Sequence, residues 1–222
     1  ADRKKVFSKF SFPIIILAVF YTALTALRDF RDNFSRELWD SVGYAGDASI
    51  YTLSELPIAF LVLLVLGLFG LIKNNFKAFM GFHFLLILAS VLVGVSTFLF
   101  QQGALQPVYW MVFIGFGLYA CYVPFNCIFF DRMIATFSIK GNAGYLIYIA
   151  DSFGYLGSMA VLLYKNFGSP NSSWLQFFMG ATYCIAFLGV GVSIVSMYYF
   201  QKKYKQNNSS IHFKIPMVNG RY

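Results

Sequence analysis

Asp151 is the residue with the clearest chemical potential in this chain. It is the only charged side chain in Tyr145-Leu146-Ile147-Tyr148-Ile149-Ala150-Asp151-Ser152-Phe153-Gly154-Tyr155-Leu156-Gly157-Ser158. From a helix start near Gly144, a rise of ~1.5 Å per residue carries it ~10 Å into a hydrocarbon core of ~30 Å. A carboxylate there costs on the order of 3 kcal/mol even on the mildest insertion scale, so it must face protein or water and find a partner. Desolvation works against its ionised form, which suits a group that takes up and releases protons or cations. Its other reading is a hydrogen-bonded aspartate that only ties helices together. Tyr148 and Tyr155, at i−3 and i+4, share its face and are the expected donors. Ala150, Gly154 and Ser158 form a neighbouring stripe of small residues that lets a second helix come close.

Asn126 adds a second polar group at membrane depth, in Tyr122-Val123-Pro124-Phe125-Asn126-Cys127. The proline frees the carbonyl of Ala120 and predicts a kink, a feature found at cavities and hinges and also in membrane proteins that transport nothing. Asp131 and Arg132 follow, with the spacing of an interfacial ion pair, and His83 is expected at an interface.

A second group of chemistry-bearing residues follows the first apolar run: Arg28, Asp29, Arg31, Asp32 and Arg36. Within residues 28–50, Phe30, Phe34, Leu38 and Val42 recur every four positions, an amphipathic helical pattern. Asp32 and Arg36 have the favourable acid-first i,i+4 spacing, and Trp39 suits an interfacial anchor. The segment reads either as a charged surface helix or as a docking or gating element whose charges face water at the membrane boundary. Thr52-Leu53-Ser54-Glu55 has capping-box spacing, so Glu55 is expected to cap the next helix, with Pro57 in its first turn.

The elements that position these groups are six apolar runs: 12–27, 53–72, 79–100, 108–130, 144–164 and 174–200. Each is near the ~20 residues needed to span a bilayer, and helices are the form that satisfies every backbone amide within its own segment. With 59% hydrophobic and 12% charged residues, the chain carries more apolar surface than a soluble domain of this size can cover. The fold class is therefore an all-α, six-span membrane bundle, flanked by a basic segment at 1–11 and a basic tail at 201–222.

Lysine and arginine fall mostly on alternate connections: Arg3, Lys4, Lys5 and Lys9; Lys73 and Lys77; Arg132 and Lys140; then Lys202, Lys203, Lys205, Lys214 and Arg221. By the positive-inside rule these face the cytoplasm, together with both termini. The net charge of +8 then reflects topology and attraction to anionic lipid and requires no nucleic-acid partner. Cys121, Cys127 and Cys184 lie in the apolar runs without metal-site spacing and are expected as packing thiols. The first residue is alanine, from which a processed front or a longer parent protein is expected.

Several stretches resemble a known family: Leu27-Arg28-Asp29-Phe30-Arg31-Asp32-Asn33-Phe34, Thr52-Leu53-Ser54-Glu55-Leu56-Pro57, Tyr122-Val123-Pro124-Phe125-Asn126 with Phe130-Asp131-Arg132, and Ile149 to Ser158. They resemble the C-terminal half of a bacterial membrane protein family, a domain of unknown function that is similar to the major facilitator superfamily. The resemblance implies the second six-helix bundle of a twelve-helix transporter in the bacterial inner membrane. It also implies a cavity lined by the first, second, fourth and fifth spans, facing a first bundle that this chain lacks. The superfamily's basic loop motif is faint here, in Gly70-Leu71-Ile72-Lys73-Asn74-Asn75.

Two functional classes follow. One is a secondary transporter for a small solute, with Asp151, Tyr148, Tyr155 and Asn126 lining the cavity and Asp151 coupling to protons. The other is an accessory or scaffold subunit of a larger membrane complex, with residues 28–40 docking a partner. An enzyme is not expected, because no paired intramembrane carboxylates, nucleophile constellation, metal-ligand set or cofactor motif is present.

Overall fold

A computed structural model describes the backbone of residues 2–139, 142–168 and 173–212, and the side chains from residue 10 to residue 207 within those stretches. Lys140, Lys214 and Arg221, and the side chains of Arg3, Lys4, Lys5 and Lys9, lie outside the described residues. The helices are α1 (Asp2–Asn33), α2 (Ser35–Ser41), α3 (Ser49–Gly70), α4 (Asn75–Gln101), α5 (Pro107–Pro124), α6 (Phe130–Phe137), α7 (Ala143–Leu163) and α8 (Trp174–His212). A π-helical turn, Phe125–Phe129, joins α5 to α6, and another, Tyr164–Gly168, extends α7. Among the described residues there is no strand, and six helices are long and apolar enough to cross a membrane.

The spans overrun their expected limits. α1 continues from the basic segment through Asn33, because residues 28–32 find polar partners on neighbouring helices instead of needing bulk water. α8 likewise runs into the basic tail as far as His212. The fourth span extends through the π turn to Phe137, ending at Ser138 in the left-handed conformation (φ 50°).

Packing divides the bundle. α4 packs most extensively on α8 and α5, α1 on α7 and α8, and α3 on α5. Phe10, Phe79, Phe137 and Phe200 interlock at one end, so the N-terminal part of α1 and the C-terminal part of α8 meet there. Phe30, Phe34, Trp174, Phe177 and Phe178 cluster at the other. The four-residue stripe is thus a packing stripe: Phe30 and Leu38 are buried, and Phe34 and Val42 lie against the core.

Several local expectations are corrected. Trp39 is buried, with its ring edge-on to Tyr44 at 5.5 Å, and anchors no interface. α3 starts earlier than the capping-box pattern implies, because the Asp47 carboxylate accepts from the Ser49 amide (2.9 Å) and hydroxyl (2.6 Å) just ahead of it. These bonds, the Ser49 hydroxyl first and its amide second, hold the Asp47 carboxyl below its ordinary pKa. Ser54 and Glu55 are consequently inside α3, as is Pro57. His83 is fully buried rather than interfacial, its Nδ1 bonded to the Phe79 carbonyl (2.9 Å) among Phe82, Phe129 and Phe200. Of the cysteines only Cys121 packs inside; Cys127 and Cys184 are exposed.

Candidate functional site

Polar groups of α1, α3, α5, α7 and the π turn after α5 gather in two layers. The deeper layer is built around Asp151. Its carboxylate accepts a short hydrogen bond from the Tyr21 hydroxyl of α1, and the Asn126 amide donates to the Tyr21 oxygen (2.8 Å) and to Asp151 Oδ1 (3.4 Å). Three spans are joined by one cluster of three side chains. Asn126 reaches it from the π turn that follows Pro124, where the proline has ended the regular hydrogen-bond ladder. Asn126 Oδ1 is buried and without a hydrogen-bond partner among the described residues. Tyr21 is fully buried and stacked on Tyr122 and Phe125, with ring centroids 5.5 and 4.4 Å away.

The small-residue stripe does what its spacing suggests. Ala150, Gly154 and Ser158 are the buried residues of α7, and they face α1. A Cβ on Gly157 would stand 2.5 Å from Thr22 Cγ2, and one on Gly154 3.1 Å from Thr25, so larger residues would push the two helices apart. This close approach brings Tyr21 to Asp151.

The second layer lies farther along α1. Arg28 pairs with Asp29 and lies over the Tyr122 ring, 3.7 Å from its centroid, while Ser158 donates to Asp29 Oδ2 (2.6 Å). Arg31, 2% exposed, donates to Asp32 (3.2 Å) and to Glu55 of α3 (2.7 Å). Tyr119 of α5 donates to Asp32 Oδ2 (2.6 Å). A Cβ on Gly115 would lie 2.8 Å from Arg31 Nη2, so glycine there leaves room for the buried guanidinium. Glu55 is therefore an ion-pair partner and not a helix cap. Tyr122 links the layers, stacked on Tyr21 on one side and under Arg28 on the other.

Of the expected cavity residues, Asp151 and Asn126 come together. Tyr148 and Tyr155 do not: they are 75% and 61% exposed and point away from the bundle, because the face of α7 that meets α1 carries the small residues between them. Of the outer residues, Arg28 and Asp29 form one group with Ser158 of α7, and Arg31 and Asp32 a second with Glu55 of α3 and Tyr119 of α5, in which Asp32 is exposed. Arg36 stands apart, 84% exposed, and its partner is Asp40 of α2 (3.8 Å) rather than Asp32, since Phe34 interrupts the helix between them.

Sequence reasoning missed Tyr21, Tyr119 and Tyr122, which are indistinguishable by type from the chain's many lipid-facing aromatics. It also missed Lys165, which is buried over the Trp174 ring at 4.1 Å. Asp131 and Arg132 do not pair with each other; Arg132 donates to Asn75 (2.7 Å). Among the described residues no three His, Cys, Asp or Glu side chains come together to hold a metal ion. The arrangement can hold a carboxylate, ionised or protonated, at membrane depth and connect it to an ion-pair network nearer the surface.

No curated protein and no solved structure matches the chain significantly. Residues 1–203 match the model of a family of unknown function (DUF5690), and with six apolar spans the protein belongs to that family as a multi-pass membrane protein.

Proposed function

We propose that this chain is one six-helix half of a secondary transporter of the major-facilitator type, coupled to protons through Asp151. It would act on a small solute in a bacterial inner membrane, with both termini in the cytoplasm. The observation that carries the reading is the Tyr21–Asn126–Asp151 cluster, a carboxylate in an apolar span supplied with neutral donors and, among the described residues, in no ion pair. A carboxylate needed only to bind helices would be served as well by an asparagine; one held by neutral donors retains the freedom to gain and lose a proton.

The disposition of the spans supports the same reading. α3 and α7 bury only 17% of their apolar stretches, against 50% for α1 and for the α5–α6 span. Tyr148 and Tyr155 lie on that open side of α7, where their hydroxyls would face a water-filled cavity or a second bundle more favourably than acyl chains. The alternative, an accessory or scaffold subunit docked through residues 28–40, draws on the same open faces and on the exposed Arg36, whereas Arg28, Asp29 and Arg31 are engaged within the bundle.

The test is Asp151→Asn in the full-length protein, reconstituted in vesicles under a pH gradient and offered a panel of small solutes. The wild type should dissipate the gradient with its solute, and the variant should lose that coupling while reaching the membrane in normal amounts. Equal proton flux in both proteins, or disappearance of the variant from the membrane, would refute the coupling role.

A further inference from the structure

A second feature lies between α3 and the fourth span, running from Glu55 and Tyr119 of the ion-pair layer toward the end where the chain termini lie, and it does not involve Asp151. Two adjoining cavities of about 530 and 450 Å³ share Leu66 and form a groove between α3 and the fourth span. Its middle is apolar, walled by Val62, Leu63, Leu66 and Val123. At the end where the chain termini lie it is polar, with Asn75, Asp131 and Arg132 side by side. Arg132 is half-buried and spends one nitrogen on Asn75; Asp131 is exposed; among the described residues neither is in an ion pair.

We infer that this groove is a binding site for a phospholipid with a zwitterionic, primary-ammonium headgroup of the phosphatidylethanolamine type. The charges match in kind. Arg132 offers guanidinium donors to the phosphate, and the neighbouring Asp131 carboxylate accepts from the ammonium. An anionic headgroup would meet Asp131 unfavourably, and a choline headgroup has no N–H to give it. The apolar wall has the length for an acyl chain: from Phe69 back to Ile58, roughly 11 residues at ~1.5 Å each cover ~16 Å, about the ~15 Å depth of one leaflet. The position of the polar end, where α3 stops and α4 begins, is also where a headgroup lies.

The experiment is thermal unfolding of the full chain in detergent, followed by intrinsic fluorescence, with phosphatidylethanolamine, phosphatidylcholine or phosphatidylglycerol added in mixed micelles. Phosphatidylethanolamine should raise the midpoint by about 2–4 °C more than the other two, since a ligand bound only by the folded state stabilises it by mass action. Asp131→Asn should bring its effect down to that of phosphatidylcholine, and Arg132→Gln should abolish it, with Arg132→Lys retaining part. Leu66→Trp, which fills the middle of the groove and leaves the charges alone, should also abolish the difference. Equal shifts with all three lipids, a lipid response unchanged by Asp131→Asn and Leu66→Trp, or a groove found covered by a partner helix would overturn the assignment.

Discussion

The two flanks of this bundle are built on opposite principles. Where α4 meets α8 and α5, contact is dry and aromatic: Trp110 stacks on Phe100 at 4.1 Å, Phe79 meets Phe200 edge-on at 4.9 Å, and Gly189 lets Ser90 and Phe20 press against α8. Its polar groups are mostly uncharged hydroxyls, some of which bond one another, as when the Trp110 indole donates to Thr97 (3.2 Å) and Thr97 bonds Thr182 (3.1 Å), while Ser90 Oγ, Ser193 Oγ and His83 Nε2 have no hydrogen-bond partner among the described residues. Where α1 meets α3, α5 and α7, the joints are ionisable: Asp151 with Tyr21 and Asn126, Arg31 with Glu55, Asp29 with Ser158. The first flank is packed to stay as it is. The second is held by bonds whose strength depends on protonation and water, which is where a membrane protein can change state.

The contrast is sharpest at Trp110. Trp110→Ala should lower the stability of the bundle by about 3–5 kcal/mol, because it opens a void in fully buried packing and removes the indole's hydrogen bond to Thr97. Unfolding in a denaturing detergent series would report it, and a loss no larger than that of a surface change would mean the dry flank is not the support. Tyr21→Phe keeps the stacked ring and deletes the hydroxyl that donates to Asp151 and accepts from Asn126. Its expected cost is about 0.5–2 kcal/mol, in line with interhelical hydrogen bonds in membranes. The same variant should disturb proton coupling out of proportion to that cost, and normal coupling would remove Tyr21 from the proposed mechanism.

The smallest effect is expected outside the bilayer, at the start of α3. The folded state holds the Asp47 carboxyl below its ordinary pKa, so its contribution is complete above that ordinary value and fades as the pH falls through the lowered one. Asp47→Ala should therefore weaken the start of α3 at neutral pH and behave like the wild type in strong acid. Amide exchange at Ser49 and Ile50 would follow this, and a pH-independent difference would point to some other cause.

The parts of the fold legible beforehand were those set by composition along one segment. Six apolar runs of the right length are six spans, since a helix satisfies the backbone of a single segment in lipid. The Ala150–Gly154–Ser158 stripe was readable because small residues at i, i+4 and i+8 have one structural use in a span. Glu55 was misread for the opposite reason. Its local pattern is that of a cap, yet its partner, Arg31, is 24 residues away, and no local pattern reports a partner on another helix. His83 was placed at an interface because its neighbours along the chain allow it, whereas rings from α8 and the π turn enclose it.

Half of the candidate site followed from residue type alone, because an aspartate in an apolar run must be answered by something. Which groups answer it was settled only by the packing of α1 against α7. The tyrosines at i−3 and i+4 lie on the same side of their own helix as Asp151, but that side turns outward past the small-residue contact, and Tyr21 and Asn126 arrive from other spans. A one-dimensional pattern specifies how far apart residues stand around a helix; which direction then faces a neighbour depends on where two backbones come close enough to touch.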